Sequence, residues 1–155
     1  MDNFSPRKVV HLFFAVAAIL FATSVSLAAE RAPLALKGYD PVAYFTERRA
    51  VIGDPQYQHE WDGAVYQFAS AEHLALFKSD PDRYLPQYDT WCAASVAKGV
   101  KVAGNPEHWL VVDGRLYLFG GALGPGLMSA DPAAMKSKAD ERWPHVSQLP
   151  DPAAR

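Results

Sequence analysis

Cys92 is the residue whose type points most directly to chemistry, and it is the only cysteine in the 155-residue chain. A deprotonated thiol is both a nucleophile and a soft metal ligand. Thr90 can cap a helix over residues 91–98, and the free backbone N–H groups of its first turn would stabilise a thiolate. The alternative is that Cys92 is a small buried apolar residue, because free cysteines are among the most buried residues.

His73 is the second candidate, at the third position of a predicted helix over residues 71–78 that Ser70 can cap. A cation is disfavoured at a helix N-terminus, so the imidazole should stay neutral, which is the form that binds metals. The alternative is a histidine with ordinary hydrogen bonds. Further histidines and methionines show no ligand spacing and are typical of structural positions; they are His59, His108, Met128 and Met135.

Three functions remain open from these residues. A thiolate and an imidazole suit copper or zinc, so Cys92 and His73 could form a metal site. Alternatively, Cys92 is a redox nucleophile, and a partner thiol protein would complete its cycle because the chain has no second cysteine. The third possibility is a non-catalytic binding module. The sequence therefore does not decide whether the protein is an enzyme.

An internal repeat organises the elements that would position these residues. The stretch DGAVYQF at 62–68 matches DGRLYLF at 113–119 at an offset of 51 residues. Each Asp-Gly pair separates two short apolar runs, which is a strong hairpin signal. The pattern predicts an α+β fold, a small single domain in which two pseudo-repeated hairpin-plus-helix halves, near 38–86 and 89–137, share one core.

Further signals extend the repeat and show where the two halves differ. Asp80-Pro81 predicts a short helix in the first half, and Asp131-Pro132 predicts one in the second half that Pro144 should stop. The glycine-rich stretch 120–126 predicts a loop in place of the first half's helix. Residues 147–155 predict a disordered tail.

Several of these stretches resemble the YHS domain. They are GYDPVAYF at 38–45, YQFASAEH at 66–73 and DPDRY at 80–84. Residues 86–99 resemble a subgroup of exported YHS proteins, and the resemblance as a whole covers about 38–144. It implies that residues 30–146 form one YHS-like domain.

The resemblance also bears on the candidate residues. Many YHS domains hold a metal through cysteines at places that match Ala43, Ala69 and His73, and only His73 keeps ligand character here. The exported subgroup has a cysteine, and in some members a selenocysteine, at the place of Cys92. This implies a redox-active or metal-ligating sulfur. The chain departs from the subgroup at residues 89–91, where Asp-Thr-Trp stands in place of Gly-Gly-Tyr.

The N-terminal residues 1–29 are typical of a signal peptide. Arg7 and Lys8 precede an apolar run over 12–22, and small residues follow up to Ala29. We therefore expect a periplasmic or secreted protein with no membrane attachment after cleavage. The formal net charge of −2 gives no basic footprint for nucleic acid.

Export should remove the N-terminal segment by cleavage after Ala28 or Ala29, because the charged, apolar and small regions occur in the required order. Intact-mass measurement of protein recovered from the periplasm checks this expectation. A mass that still includes Met1 to Ala28 would contradict it.

Overall fold

The computed structural model describes residues 32–153, so the predicted signal peptide lies outside the described residues. The described part confirms the α+β class, with helices and two antiparallel two-stranded sheets. In chain order the elements are α1 (Ala43–Thr46), β1 (Asp54–Trp61), β2 (Ala64–Phe68), α2 (Ala71–Ser79), α3 (Pro81–Tyr84), α4 (Ala93–Val96), β3 (Asn105–Val112), β4 (Arg115–Phe119), α5 (Gly124–Ala130) and α6 (Pro132–Val146). None of the helices between residues 32 and 153 is long and apolar enough to cross a membrane.

The two hairpins have the same register at the 51-residue offset. Asp54 pairs with Phe68 in the first, as Asn105 pairs with Phe119 in the second, and an irregularity follows Asp54 and Asn105 alike. Both hairpins turn at Asp-Gly with positive φ at the two central residues, 47° and 74° at Asp62-Gly63. This conformation matches the type I′ turn that the sequence predicts. That the halves superpose as whole units stays a prediction.

The segments that lead into the hairpins are also alike, at an offset of 52 residues up to Asp40 and Cys92 and of 51 residues from Val51 and Val102 onward. In the first, the Asp40 N–H donates to the Val51 carbonyl at 2.8 Å, and in the second the Cys92 N–H donates to the Val102 carbonyl at 2.8 Å. Each segment contains two consecutive left-handed residues, Leu36-Lys37 and Tyr88-Asp89. Asp40 and Cys92 therefore hold corresponding backbone positions.

The helix that contains Cys92 differs from its prediction. It begins at Ala93 and ends at Val96, and Cys92 is its N-cap residue with φ −64° and ψ 113°. The predicted start at Trp91, with Thr90 as the cap, is wrong because Trp91 and Cys92 form extended bridges to Ala103 and Leu118. By contrast, Ser70 caps α2 as predicted, since its Oγ accepts the His73 N–H at 3.1 Å.

The C-terminal region is more helical than predicted. A helix, α5, occupies part of the stretch predicted as a glycine-rich loop, because Gly124 packs directly on the Phe119 ring. α6 continues through Pro144 to the buried Val146. The predicted disordered tail begins with residues that contact the domain, because Lys101 Nζ donates to the Ser147 and Leu149 carbonyls at 3.0 and 2.7 Å.

Three apolar clusters form the core. One lies within the first half and is built from Val42, Phe68, Phe77 and Tyr84. A second joins Leu36 and Tyr44 of the first half to Leu116 and Leu118 of the second. The third, called here the Cys92 cluster, is formed by Tyr88, Cys92, Ala93, Val96, Tyr117, Phe119, Met128, Ala139 and Val146. The second cluster contains residues of both halves, so the two halves share one core.

Two glycines at corresponding places should not tolerate a side chain. A Cβ on Gly53 would lie 2.5 Å from the Gln67 carbonyl carbon, and one on Gly104 would lie 2.6 Å from the Thr90 oxygen. We expect Gly53→Ala and Gly104→Ala each to lower the free energy of unfolding by about 1–3 kcal/mol or more, because backbone atoms must move. Urea unfolding measures the loss.

Gly126→Ala is the matched control, since a Cβ there meets no atom within 4 Å and the residue lies in α5. It should raise the free energy of unfolding by about 0.5–1 kcal/mol, as alanine favours helix. Equal effects of the three substitutions would show that the close approaches are not what Gly53 and Gly104 provide.

Asp89 should make stability depend on pH. Partial burial of its carboxyl group raises the pKa of Asp89 above the ordinary 3.8, although the residue as a whole is exposed; Lys101 opposes the rise and Asp62 adds to it. A raised carboxyl pKa means that folding favours the protonated form, so the wild type loses stability as pH rises from below 3.8 through the folded-state pKa. Because Asp89 is exposed to solvent, Asp89→Asn should stabilise the protein at pH 7 by only about 0.5 kcal/mol.

Thermal melts of the wild type and Asp89→Asn from pH 3 to 7 test this. The difference should vanish at the acidic end. A difference that stays constant over the whole range would instead reflect the preference of asparagine for the left-handed backbone at this position.

Candidate functional site

Cys92 lies just beneath the surface of the second half. The residue is 5% exposed, and its neighbours in the Cys92 cluster are apolar. On the outer side, a Cβ built on the exposed Gly120 would be 3.8 Å from Cys92 Cβ and 3.6 Å from Val102 Cγ1. The residue that adjoins Cys92 on this side therefore has no side chain.

Cys92 is the N-cap residue of α4, but its side chain makes no hydrogen bond to the first turn of that helix. The N–H of Ala94, at the second helical position, has no partner within the helix because the first turn of a helix leaves its N–H groups unpaired. Gly120 follows β4 and lies next to Cys92.

The corresponding position of the first half holds an anionic side chain. Asp40 is 0% exposed, and its Oδ1 accepts the Val42 N–H at 2.8 Å. Its Oδ2 accepts the Ala69 N–H at 2.7 Å. Ala69 matches Gly120 at the 51-residue offset, so one of the donors to Asp40 has its counterpart beside Cys92.

His73 takes part in a hydrogen-bond chain centred on Asp40. Its Nδ1 lies 2.6 Å from Asp40 Oδ2, and its Nε2 lies 3.2 Å from Thr46 Oγ1. The ring is largely buried, with 11% of the side chain exposed, whereas Thr46 is exposed. The carboxylate fixes the proton on Nδ1, which leaves Nε2 as the nitrogen that can accept a proton or a ligand.

Sequence reasoning missed Asp40 and Thr46. Asp40 precedes Pro41 and therefore had the local signature of a residue that caps a turn. Its pairing with His73 joins residues 33 positions apart and has no local signature. Thr46, at the end of the short α1, carried no signal.

The structure does not bring Cys92 and His73 together. Cys92 packs in its own cluster, and no contact between it and His73 is found in the described part of the chain. Nor does that part hold a group of three or more His, Cys, Asp or Glu side chains placed to bind a metal. The Cys92–His73 metal site stays a prediction, and it would require the two residues to approach each other.

The remaining candidates from the sequence are two methionines and two histidines. Met128 is fully buried in the Cys92 cluster, and Met135 packs against the same cluster. His59 stacks near Trp61 with ring centroids 6.5 Å apart. His108 Nδ1 is buried without a hydrogen-bond partner among the described residues.

A cleft of about 640 Å³ lies between the hairpins and the segments that lead into them. Its lining includes apolar side chains of both halves, and Asp62, Asp89 and Lys37 supply charge. Neither Cys92 nor His73 lines this cleft, so the chemistry that the sequence singled out lies elsewhere.

Comparison with known proteins adds no assignment. No protein-family profile matches the chain, and no match is found among curated proteins or solved structures. The likeness to the YHS domain therefore rests on the sequence stretches quoted above. The site has to be interpreted from its own geometry, which offers a buried thiol at the N-cap of α4 and a separate Asp–His–Thr chain.

Proposed function

We propose that the protein is an exported YHS-like protein in which Cys92 acts as a thiolate nucleophile toward sulfur electrophiles. The observation that carries the proposal is the correspondence between Cys92 and Asp40. Both residues donate their backbone N–H to the chain that precedes a hairpin, at 2.8 Å in each case. The first half uses this position for a carboxylate that accepts backbone N–H groups, which supports an anionic side chain at the same place in the second half.

Support for an anion at Cys92 comes from the corresponding donors of the first half. A buried anion is costly unless hydrogen bonds satisfy it. Asp40 is satisfied by the N–H groups of Val42 and Ala69, and the residues at the matching places of the second half are Ala94 and Gly120. A thiolate would take these N–H groups as partners after rotation of the Cys92 side chain, since the cap hydrogen bond is not made in the structure.

The reaction that fits is thiol–disulfide exchange. The Cys92 sulfur attacks one sulfur of a disulfide, a new S–S bond forms, and the other sulfur leaves as a thiolate. No further oxidant is needed, because the disulfide is the oxidant. Since the chain has no second cysteine, a partner thiol attacks the mixed disulfide and restores Cys92. The partner is therefore a thiol or disulfide compound, or a protein that carries one.

Binding of a soft metal is a second candidate. Met128 belongs to the same cluster as Cys92, and a thiolate with a thioether suits copper(I) better than zinc. His73 would not contribute without rearrangement. Elemental analysis of protein purified without an affinity tag would support this candidate only if the bound copper is lost in Cys92→Ser and reduced in Met128→Leu.

Alkylation kinetics test the thiolate. Iodoacetamide should modify Cys92 of the native, metal-free protein at pH 7 faster than an unhindered small thiol of ordinary pKa, about 8.5. Gly120→Val should slow the reaction about tenfold or more, because the new side chain meets Val102 and Cys92. Gly121→Ala is the matched control, since a Cβ there meets nothing within 4 Å, and its rate should equal that of the wild type.

The proposal fails if Cys92 reacts only after denaturation. In that case Cys92 is a core residue, and both the thiol and the metal candidates are excluded. Circular dichroism of Gly120→Val should match the wild type, so that a slower rate reports access and not a change of fold.

A further inference from the structure

We propose that Asp40, His73 and Thr46 form an acyl-transfer site in which Thr46 is the nucleophile. The inference is independent of Cys92. It rests on a continuous chain of polar contacts, from Asp40 Oδ2 to His73 Nδ1 at 2.6 Å and from His73 Nε2 to Thr46 Oγ1 at 3.2 Å. A hydroxyl, an imidazole and a buried carboxylate in this order are the groups that activate an alcohol for attack on a carbonyl.

Along the hydrogen-bond chain, solvent exposure increases from the carboxylate of Asp40 to the hydroxyl of Thr46. This is the order that a nucleophile in contact with a substrate requires. Asp40 is fully buried, the His73 side chain is 11% exposed, and Thr46 is exposed. The buried carboxylate orients the ring and keeps the proton on Nδ1, so Nε2 faces the hydroxyl as an acceptor. A substrate carbonyl can therefore reach the Thr46 oxygen from solvent while the base behind it is held in place.

Thr46 has a single hydroxyl proton and two acceptors in range. Besides His73 Nε2, the Val42 carbonyl lies 3.1 Å from Oγ1. Rotation of the hydroxyl hydrogen alone moves the proton from one acceptor to the other, so no heavy atom has to shift. The adjacent Glu47 and Arg49 are bonded to each other, with Arg49 Nε 2.9 Å from Glu47 Oε2, and so do not compete for the hydroxyl.

The frame of the first half depends on Asp40 but does not require the imidazole of His73 or the hydroxyl of Thr46. Asp40 already receives the N–H groups of Val42 and Ala69 without any help from His73. In the second half, Cys92 stands at the place of Asp40, and Gly124 stands at the 51-residue offset from His73. The second hairpin and the helices after it form with neither a carboxylate nor an imidazole there. The hydrogen bonds of His73 with Asp40 and Thr46 are thus not needed to form the hairpin and helices of the first half.

The reaction balances with water as the only co-reactant. Thr46 Oγ1 attacks the carbonyl carbon of an ester, its proton passes to His73 Nε2, and the alcohol leaves with that proton. The acyl group is then an ester of Thr46, which water hydrolyses with His73 as the base. Asp40 touches neither reactant and is a positioning residue. The substrate class is small, unhindered acyl esters.

Hydrolysis of p-nitrophenyl acetate tests the inference, in full-length protein that carries Cys92→Ser so that the thiol contributes nothing. In this background Thr46→Val should lower the rate about tenfold or more, since general-base catalysis contributes about 10²–10⁴-fold. Thr46→Ser should retain activity because it keeps the hydroxyl. His145→Asn is the control for unspecific catalysis by an exposed histidine and should leave the rate unchanged.

Two further readouts separate catalysis from a structural role. Peptide mass mapping after the reaction should place an acetyl group on Thr46. In the Cys92→Ser background, Asp40→Asn should lower the rate of acetylation of Thr46, and circular dichroism reports whether that variant folds. Equal rates with and without the Thr46 hydroxyl, or acetylation at lysines only, would overturn the inference. Neither outcome depends on the alkylation of Cys92, so failure here leaves the thiolate proposal untouched.

Discussion

The first half of the domain is organised by a carboxylate that has no contact with solvent. Burial of an unpaired charge costs many kcal/mol, so both oxygens of Asp40 must be paired in the folded state. The partners come from three places: the turn before α1, the end of β2 and the first turn of α2. One side chain therefore joins three elements that are distant in sequence, and the position of His73 and Thr46 follows from it.

The second half has a similar backbone arrangement around a different core. Backbone hydrogen bonds to Val51 and to Val102, the left-handed pairs before them and the register of the hairpins correspond closely. At the place of the carboxylate there is a thiol, and the cluster behind it is apolar. The same backbone geometry thus accommodates two different kinds of side chain. This contrast is what makes Cys92 and the Asp40–His73 pair informative about function.

Local patterns predicted the elements better than the site. The Asp-Gly turns and the Ser70 cap are decided by a few adjacent residues, and the structure has them as predicted. The helix at Cys92 was mispredicted because bridges to Ala103 and Leu118 extend the chain up to the residue that caps it. Likewise, packing of Gly124 on Phe119 outweighs the turn tendency of a glycine-rich stretch. Tertiary contacts decide these places, and they leave no pattern within a short window.

The candidate residues show the same limit. His73 and Cys92 were singled out from residue type and cap position, whereas their separation depends on which cluster each side chain enters. Asp40 and Thr46 became visible only with the hydrogen bonds that cross from one element to another.

The three clusters are completed by residues from successively later parts of the chain, and this has a consequence for folding. The cluster of Val42, Phe68, Phe77 and Tyr84 is complete once residue 84 is available. The Cys92 cluster needs Ala139 and Val146 of α6, and Lys101 holds the carbonyls of Ser147 and Leu149 just beyond. A chain that leaves the ribosome N-terminus first can therefore form this first cluster early. The Cys92 thiol stays uncovered until α6 has packed, so during that interval it is accessible to oxidants.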